Sequence, residues 1–169
     1  MISASTLHVI ATELTVGMFA LSGVAFLLCF IKKGPMSREA VAHWALMGGL
    51  IATPLAILSG INSTPSDSIS DPLLANKVIL SMSSAGIALG LLINRKRGAE
   101  VDMKHSSFGL IAVGLMLTTA GIGGEYSRGE TLLFLVPKDL VLIFPMWASI
   151  ILILLGITMI SKSAIEHRV

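Results

Sequence analysis

A single cysteine in 169 residues leaves Cys29 with no internal disulfide partner, so no redox compartment can be read from thiols, and among apolar neighbours it is expected simply to pack. Charge is scarce as well. Only 13% of residues are Asp, Glu, Lys or Arg, and the net charge of +2 is too small to imply nucleic acid. There is no phosphate loop, nucleophile motif or cysteine pair, and no pattern repeats at a fixed period. Nor is any polar run long enough for a separate soluble domain. What the chain does have is apolar residues, at 54%, which with a positive mean hydropathy is too greasy for a water-soluble domain of this size. The solvent for most of it is therefore lipid.

Five apolar runs approach the roughly 20 residues that a helix needs to cross a hydrocarbon core. They cover residues 8–31, 41–61, 72–94, 107–124 and 139–160. The first stops at Lys32, Lys33, Gly34 and Pro35, the second at Asn62, Ser63, Thr64 and Pro65, and the third at Arg95, Lys96 and Arg97. Barrel strands alternate apolar and polar residues over about ten positions, whereas these runs are continuous, so helices are expected. Residues 126–138 contain Leu132, Leu133, Phe134, Leu135 and Val136, too short a stretch to span. The expected architecture is all-α: one integral membrane helical bundle of about five transmembrane helices over residues 1–169, multi-pass in the cell membrane.

Basic residues orient it, because Lys and Arg in short loops stay cytoplasmic. One side carries Lys32, Lys33, Arg38, Arg95, Lys96, Arg97, Lys104, Lys162 and Arg168, and the other only Arg128, Lys138 and the helix-embedded Lys77. The N-terminus is thus expected outside and the C-terminus cytoplasmic. No positive charge precedes the first run, which reads as a retained helix rather than a cleaved signal.

Small residues four apart let helix backbones approach in lipid. Gly48, Ala52, Ala56 and Gly60 make such a stripe in the second run, Gly86 and Gly90 in the third, and Gly114, Gly121, Gly123 and Gly124 enrich the fourth. These three helices are expected to form the tight core. The fifth, bulky over 150–155 and bent by Pro145, is expected on the periphery, facing lipid or a partner subunit.

Ionisable residues at membrane depth cost on the order of 2.5 to 3.5 kcal/mol each near a helix centre, and so mark candidate sites. Glu13 and Lys77 lie at similar depth, and the leading expectation is an ion pair pinning the first and third helices. A proton or ligand site is the functional alternative, and separate snorkelling to the interface the third. Histidines are the usual haem and metal ligands in helical bundles. His8 starts the first helix at one end, while His43 and His105 lie near the other, so His8 cannot share a haem with either. His43 and His105 are an axial pair in principle, although His105, beside Lys104, is expected to be solvated, like His167 in the tail. His8, Glu13, Glu125, Tyr126 and Glu130 can gather at one face as a metal cluster, without any signature ligand spacing. Trp44 and Trp147 are expected to pack or anchor.

The segments Leu7, His8 to Glu13, AILSG at Ala56 to Gly60, Asn76, and GIGGEYSRGE at Gly121 to Glu130 carry a resemblance. Over about residues 7–130 the chain resembles an uncharacterised prokaryotic family of four-helix predicted membrane proteins, which opens with a His-Pro pair and ends its fourth helix on a Gly-Gly-Glu motif. The resemblance implies a four-helix unit with the fifth helix added, and has invited a haem or metal reading. Of the family's histidines only His8 carries over. Val9 stands where the proline would be, Glu13 at the second histidine, and Leu73 or Leu74 near the third. The chain looks like a version kept for its shape.

Three functions follow in order of expectation. The first is an accessory, structural transmembrane subunit of a larger membrane complex, such as a respiratory or oxygenase (oxidoreductase) assembly, whose partners are the bilayer and other membrane subunits. The second is a small b-type cytochrome or metal-binding membrane protein, with haem b or a transition metal at His8 or His43. The third is a small transporter, for which the expected inverted repeat is absent.

Overall fold

The structure, a computed structural model, describes residues 3–32, 37–63, 72–95, 101–128 and 145–166. Five helices follow one another: α1 (Ala4–Phe30), α2 (Arg38–Ser63), α3 (Pro72–Ile93), α4 (Met103–Arg128) and α5 (Met146–Glu166). Among the described residues all regular structure is helical. Lipid supplies no hydrogen bonds, so each segment must satisfy its backbone internally, and a helix does that. Four of the helices, α1 to α4, are long and apolar enough to cross a membrane, which makes the chain a multi-pass helical bundle by length and composition. Within the described residues the apolar part of α5, Ile150–Lys162, is shorter than a span.

Local signals place the helix ends. Ser3 caps α1, accepting from the Thr6 N–H at 3.1 Å, and Asp102 caps α4, its Oδ1 accepting from the His105 N–H at 2.6 Å. This cap starts α4 four residues before the expected Ser107 and takes His105 out of the loop. At its other end α1 closes through Lys32, held at φ 52, a left-handed conformation that usually falls to glycine. α5 begins at Met146, directly after Pro145, where a residue without an N–H costs no hydrogen bond, and the bend expected in the first half of the fifth run falls on residues outside those described. Residues 139–144 of the fifth apolar run, the turn beyond Ser63, Glu130 and His167 lie outside the described residues.

The helices close a ring in which α1 packs on α2, α2 on α3, α3 on α4, and α4 on α1, with α5 outside against α3. Its centre is the apolar core of Phe19, Phe26, Leu46, Leu80, Ile87, Leu91, Met116 and Ile122. The tightest seam is α1 against α2, and glycines make it possible. A Cβ on Gly49 would meet the Phe19 ring at 2.5 Å, one on Gly48 would touch Met18 at 3.3 Å, and one on Gly60 would strike His8 at 2.9 Å. The small-residue stripe of α2, with Ala52 buried along it, is therefore the seat of α1. Likewise Gly109 receives Phe26 and Gly23 receives Val113, joining α1 to α4.

The small residues of α3 behave differently from expectation. Gly86 faces the Gly156 backbone, with a Cβ on Gly86 only 3.2 Å from the Gly156 Cα, and Gly90 faces Met159. The stripe expected to tighten the core of the second, third and fourth helices instead seats α5. The periodicity identifies a close-approach face but not the neighbour that uses it. The position of α5 outside the ring, with Trp147, Ile150, Ile151, Leu154 and Ile157 exposed, matches the peripheral placement expected.

Glycine substitutions separate these roles. Gly49→Ala is expected to lower unfolding stability by about 1–3 kcal/mol, since the Phe19 ring has no free space to yield. Gly17→Ala, where a Cβ meets nothing within 4 Å, should leave it unchanged or raise it by up to about 1 kcal/mol. Denaturant titration in detergent micelles reads both.

Candidate functional site

The basic end of the bundle, where Lys32, Arg95 and Lys104 emerge, encloses a polar cluster built from all four ring helices. His43 on α2 is 1% exposed, and its Nε2 lies 2.9 Å from the Nε2 of His105 on α4. Phe26 of α1 meets the His43 ring edge-on at 5.4 Å between centroids and the His105 ring at 6.2 Å. Arg95, just past α3, forks onto Glu39 of α2, with Nε to Oε1 at 2.7 Å and Nη2 to Oε2 at 3.4 Å. Glu39 and His43 stand four apart on one helix, which puts the Glu39 carbonyl 2.9 Å and its Oε1 3.2 Å from His43 Nδ1.

These contacts assign the protons. His43 Nδ1 faces only acceptors, so it carries the hydrogen and donates to the Glu39 carbonyl. In the neutral ring its Nε2 is then an acceptor, and the opposing His105 Nε2–H is the donor. The Glu39 carboxylate is offset by Arg95, so the cluster is electrically neutral as a whole. That suits burial at the end of a membrane bundle, where an uncompensated charge would be costly.

The same geometry bears on haem and metal. The ring centroids of His43 and His105 are 5.1 Å apart, 2.2 Å more than their facing nitrogens, so the rings meet tip to tip. A metal on that line at the usual 2.0–2.1 Å from each nitrogen would need about 4 Å between them, and a porphyrin would displace Phe26 as well. The pair as built fits a shared proton and does not fit an axial ligand pair. The expectation that His105 is solvated is also corrected. It is half-buried in the first turn of α4, where the Asp102 cap turns it inward.

At the opposite end His8 is committed to packing. Its Nδ1 donates to the Ala56 carbonyl at 2.9 Å, beside Ser59 Oγ at 3.4 Å, over the notch left by Gly60. Glu13 does not join it. Five residues advance a helix by about 500°, leaving the two side chains roughly 140° apart, and Glu13 is exposed while His8 is half-buried. Glu125 lies within α4, and its side chain is outside what the structure describes. Among the described residues no three His, Cys, Asp or Glu side chains gather as a ligand set.

The Glu13–Lys77 ion pair is absent among the described residues. α1 and α3 sit across the ring from each other, and Lys77 extends toward α4, its Nζ 2.6 Å from where a Cβ on Gly123 would be. Equal depth along two helices is not proximity when the helices are diagonal neighbours.

Glu39 and Phe26 were not singled out from sequence, and Arg95 was read only as a helix stop and an orienting charge. The i, i+4 spacing of Glu39 and His43 was a usable signal, and so was the Asp102 to His105 cap spacing. The reach of Arg95 to Glu39 had none, being a contact between positions 56 apart. The chain matches no protein-family model, no curated protein and no solved structure.

A double-mutant cycle tests the imidazole pair. His43→Leu and His105→Leu singly should each cost about 1–3 kcal/mol, because each strands the other's buried polar atom. Together they should cost less than the sum, with a coupling on the order of 1 kcal/mol in unfolding titrations. Strict additivity would count against the bond.

Proposed function

We propose that this chain is an accessory, structural transmembrane subunit of a larger membrane complex in the cell membrane, its basic end cytoplasmic and its N-terminus outside. The observation that carries this reading is how the interior histidines are used. His43 and His105 bond each other, Glu39 and Arg95 close the same cluster, and His8 is tied to the α2 backbone. Each of these side chains is spent on holding helices together, which is the task of a scaffold. The apolar groove lined by Met18, Leu21, Ser37, Ala40, Val41, Trp44 and Ala45 contains none of them. The proposed resemblance to a four-helix membrane family, of whose histidines this chain keeps only His8, points the same way, toward shape. The inward basic end follows from Lys32, Arg38, Arg95 and Lys104 lying in or beside short connections.

Purification from native membranes in mild detergent, followed by native mass spectrometry, is the test. Stoichiometric co-migration with other membrane subunits is the expected result, and a lone monomer would overturn it. An absorption spectrum and metal assay on the same sample address the rival: a Soret band or stoichiometric metal would replace this reading with a small cytochrome or metalloprotein. Cysteine-accessibility labelling at Ser3 and Lys32 should find Ser3 reactive from outside and Lys32 from inside.

A further inference from the structure

Glu13 is an ionisable side chain for which the described bundle provides no partner. The apolar stretch of α1 starts at Leu7, and six residues further at 1.5 Å each put Glu13 about 9 Å into the hydrocarbon, between the interface and the midplane. Its direction follows from the face that is buried. Ala11, Thr15, Phe19, Ser22 and Phe26 line the inside of α1, whereas Glu13 is exposed together with Ile10, Leu14, Leu21 and Val24. No hydrogen bond or ion pair of Glu13 occurs among the described residues, and Lys77, the cation at comparable depth, stands on α3 across the ring and is turned to Gly123 of α4. A carboxylate facing lipid at this depth is costly unless something outside the bundle pairs with it.

A notch lies beside it. Gly17, one turn along the same face, is exposed, and a Cβ there would meet nothing within 4 Å, so a second backbone can approach α1 closely next to the carboxylate. Two occupants from this chain fit poorly. A second copy meeting α1 about a two-fold axis would bring one Glu13 toward the other, with both Lys77 side chains turned inward. α5 is already seated on α3 through Gly156 and Gly86.

We propose that the outward face of α1 around Glu13 and Gly17 is the docking surface for a transmembrane helix of a partner subunit bearing a lysine or arginine at the depth of Glu13. This rests on the accessory-subunit reading and names the surface and the chemistry of the partner. Charge complementarity selects the helix and sets its register, and Gly17 lets its backbone come close enough for the pair to form away from water.

The test uses the full chain in its native membranes, with a photo-crosslinking residue placed in turn at Ile10, Leu14 and Gly17, and at Ile51 of α2 as an exposed comparison. Adducts from the three α1 positions, mapped by mass spectrometry, are expected on one partner helix within a turn of a Lys or Arg. Glu13→Lys should reduce them by about tenfold or more through like-charge repulsion, and exchanging the partner's cation for Glu should restore them. Because Glu13 faces outward, the Glu13→Lys protein should unfold in detergent at the wild-type midpoint, which separates lost docking from lost folding. Adducts to a second copy, to residues 129–144 of the same chain, or to lipid only would overturn the proposal. If the complex survives purification but the adducts arise from Ile51, this surface is wrong while the accessory reading stands. If the chain purifies alone, both fall.

Discussion

Hydrocarbon offers no hydrogen-bond partners, and the consequences of that constraint reach every level of this bundle. Backbone groups close on themselves in four long helices. Many hydroxyl groups follow the same rule: Thr15, Thr53, Ser83 and Thr119 each donate to the carbonyl four residues earlier, whereas the buried Thr12 Oγ1 and Ser106 Oγ have no partner among the described residues. Other side chains satisfy themselves on a neighbouring helix, among them Ser22 on the Ala42 carbonyl, Ser84 on that of Ala112 and His8 on that of Ala56. These reaches require backbones close enough for a short side chain to bridge, and glycine and alanine provide that closeness. Polar satisfaction and close packing are thus one requirement in this protein.

The ring order turns local fit into a global arrangement. α2 serves α1 along its small-residue stripe, and α3 turns its glycines outward to α5, so the core between α3 and the remaining helices is filled by Leu80, Ile87 and Leu91 instead. The diagonal relation of α1 to α3 keeps Glu13 and Lys77 apart, while that of α2 to α4 brings His43 and His105 tip to tip across the interior. A diagonal contact of this kind needs two long side chains aimed at the axis. Phe26 fills the remaining space and holds both rings in place.

Inside and outside then divide the ionisable residues by role. At the basic end Glu39, Arg95, His43 and His105 cancel and bond one another, so α2, the end of α3 and α4 are tied together without net charge, with Phe26 of α1 packed against the histidines. Glu13 has the opposite character, lying within the apolar run of α1 and turned away from the bundle. The polar cluster is thus spent on the bundle's own cohesion, whereas Glu13 lies on its outer surface.

The amino-acid sequence alone was enough for the all-helical class, the rough limits of the helices, the concentration of basic residues at one end and the faces on which helices approach closely. Those are properties of hydropathy, loop composition and side-chain size along one segment, and need no knowledge of neighbours. Which helix uses each face was decided only in three dimensions. Gly86 and Gly90 take α5, Gly60 takes His8, and Glu39 takes Arg95, because a contact between distant positions depends on ring order and axial rotation, which no single segment encodes. The same reason explains His105. Its place beside Lys104 suggested water, and only the Asp102 cap together with the facing His43 turned it into the bundle.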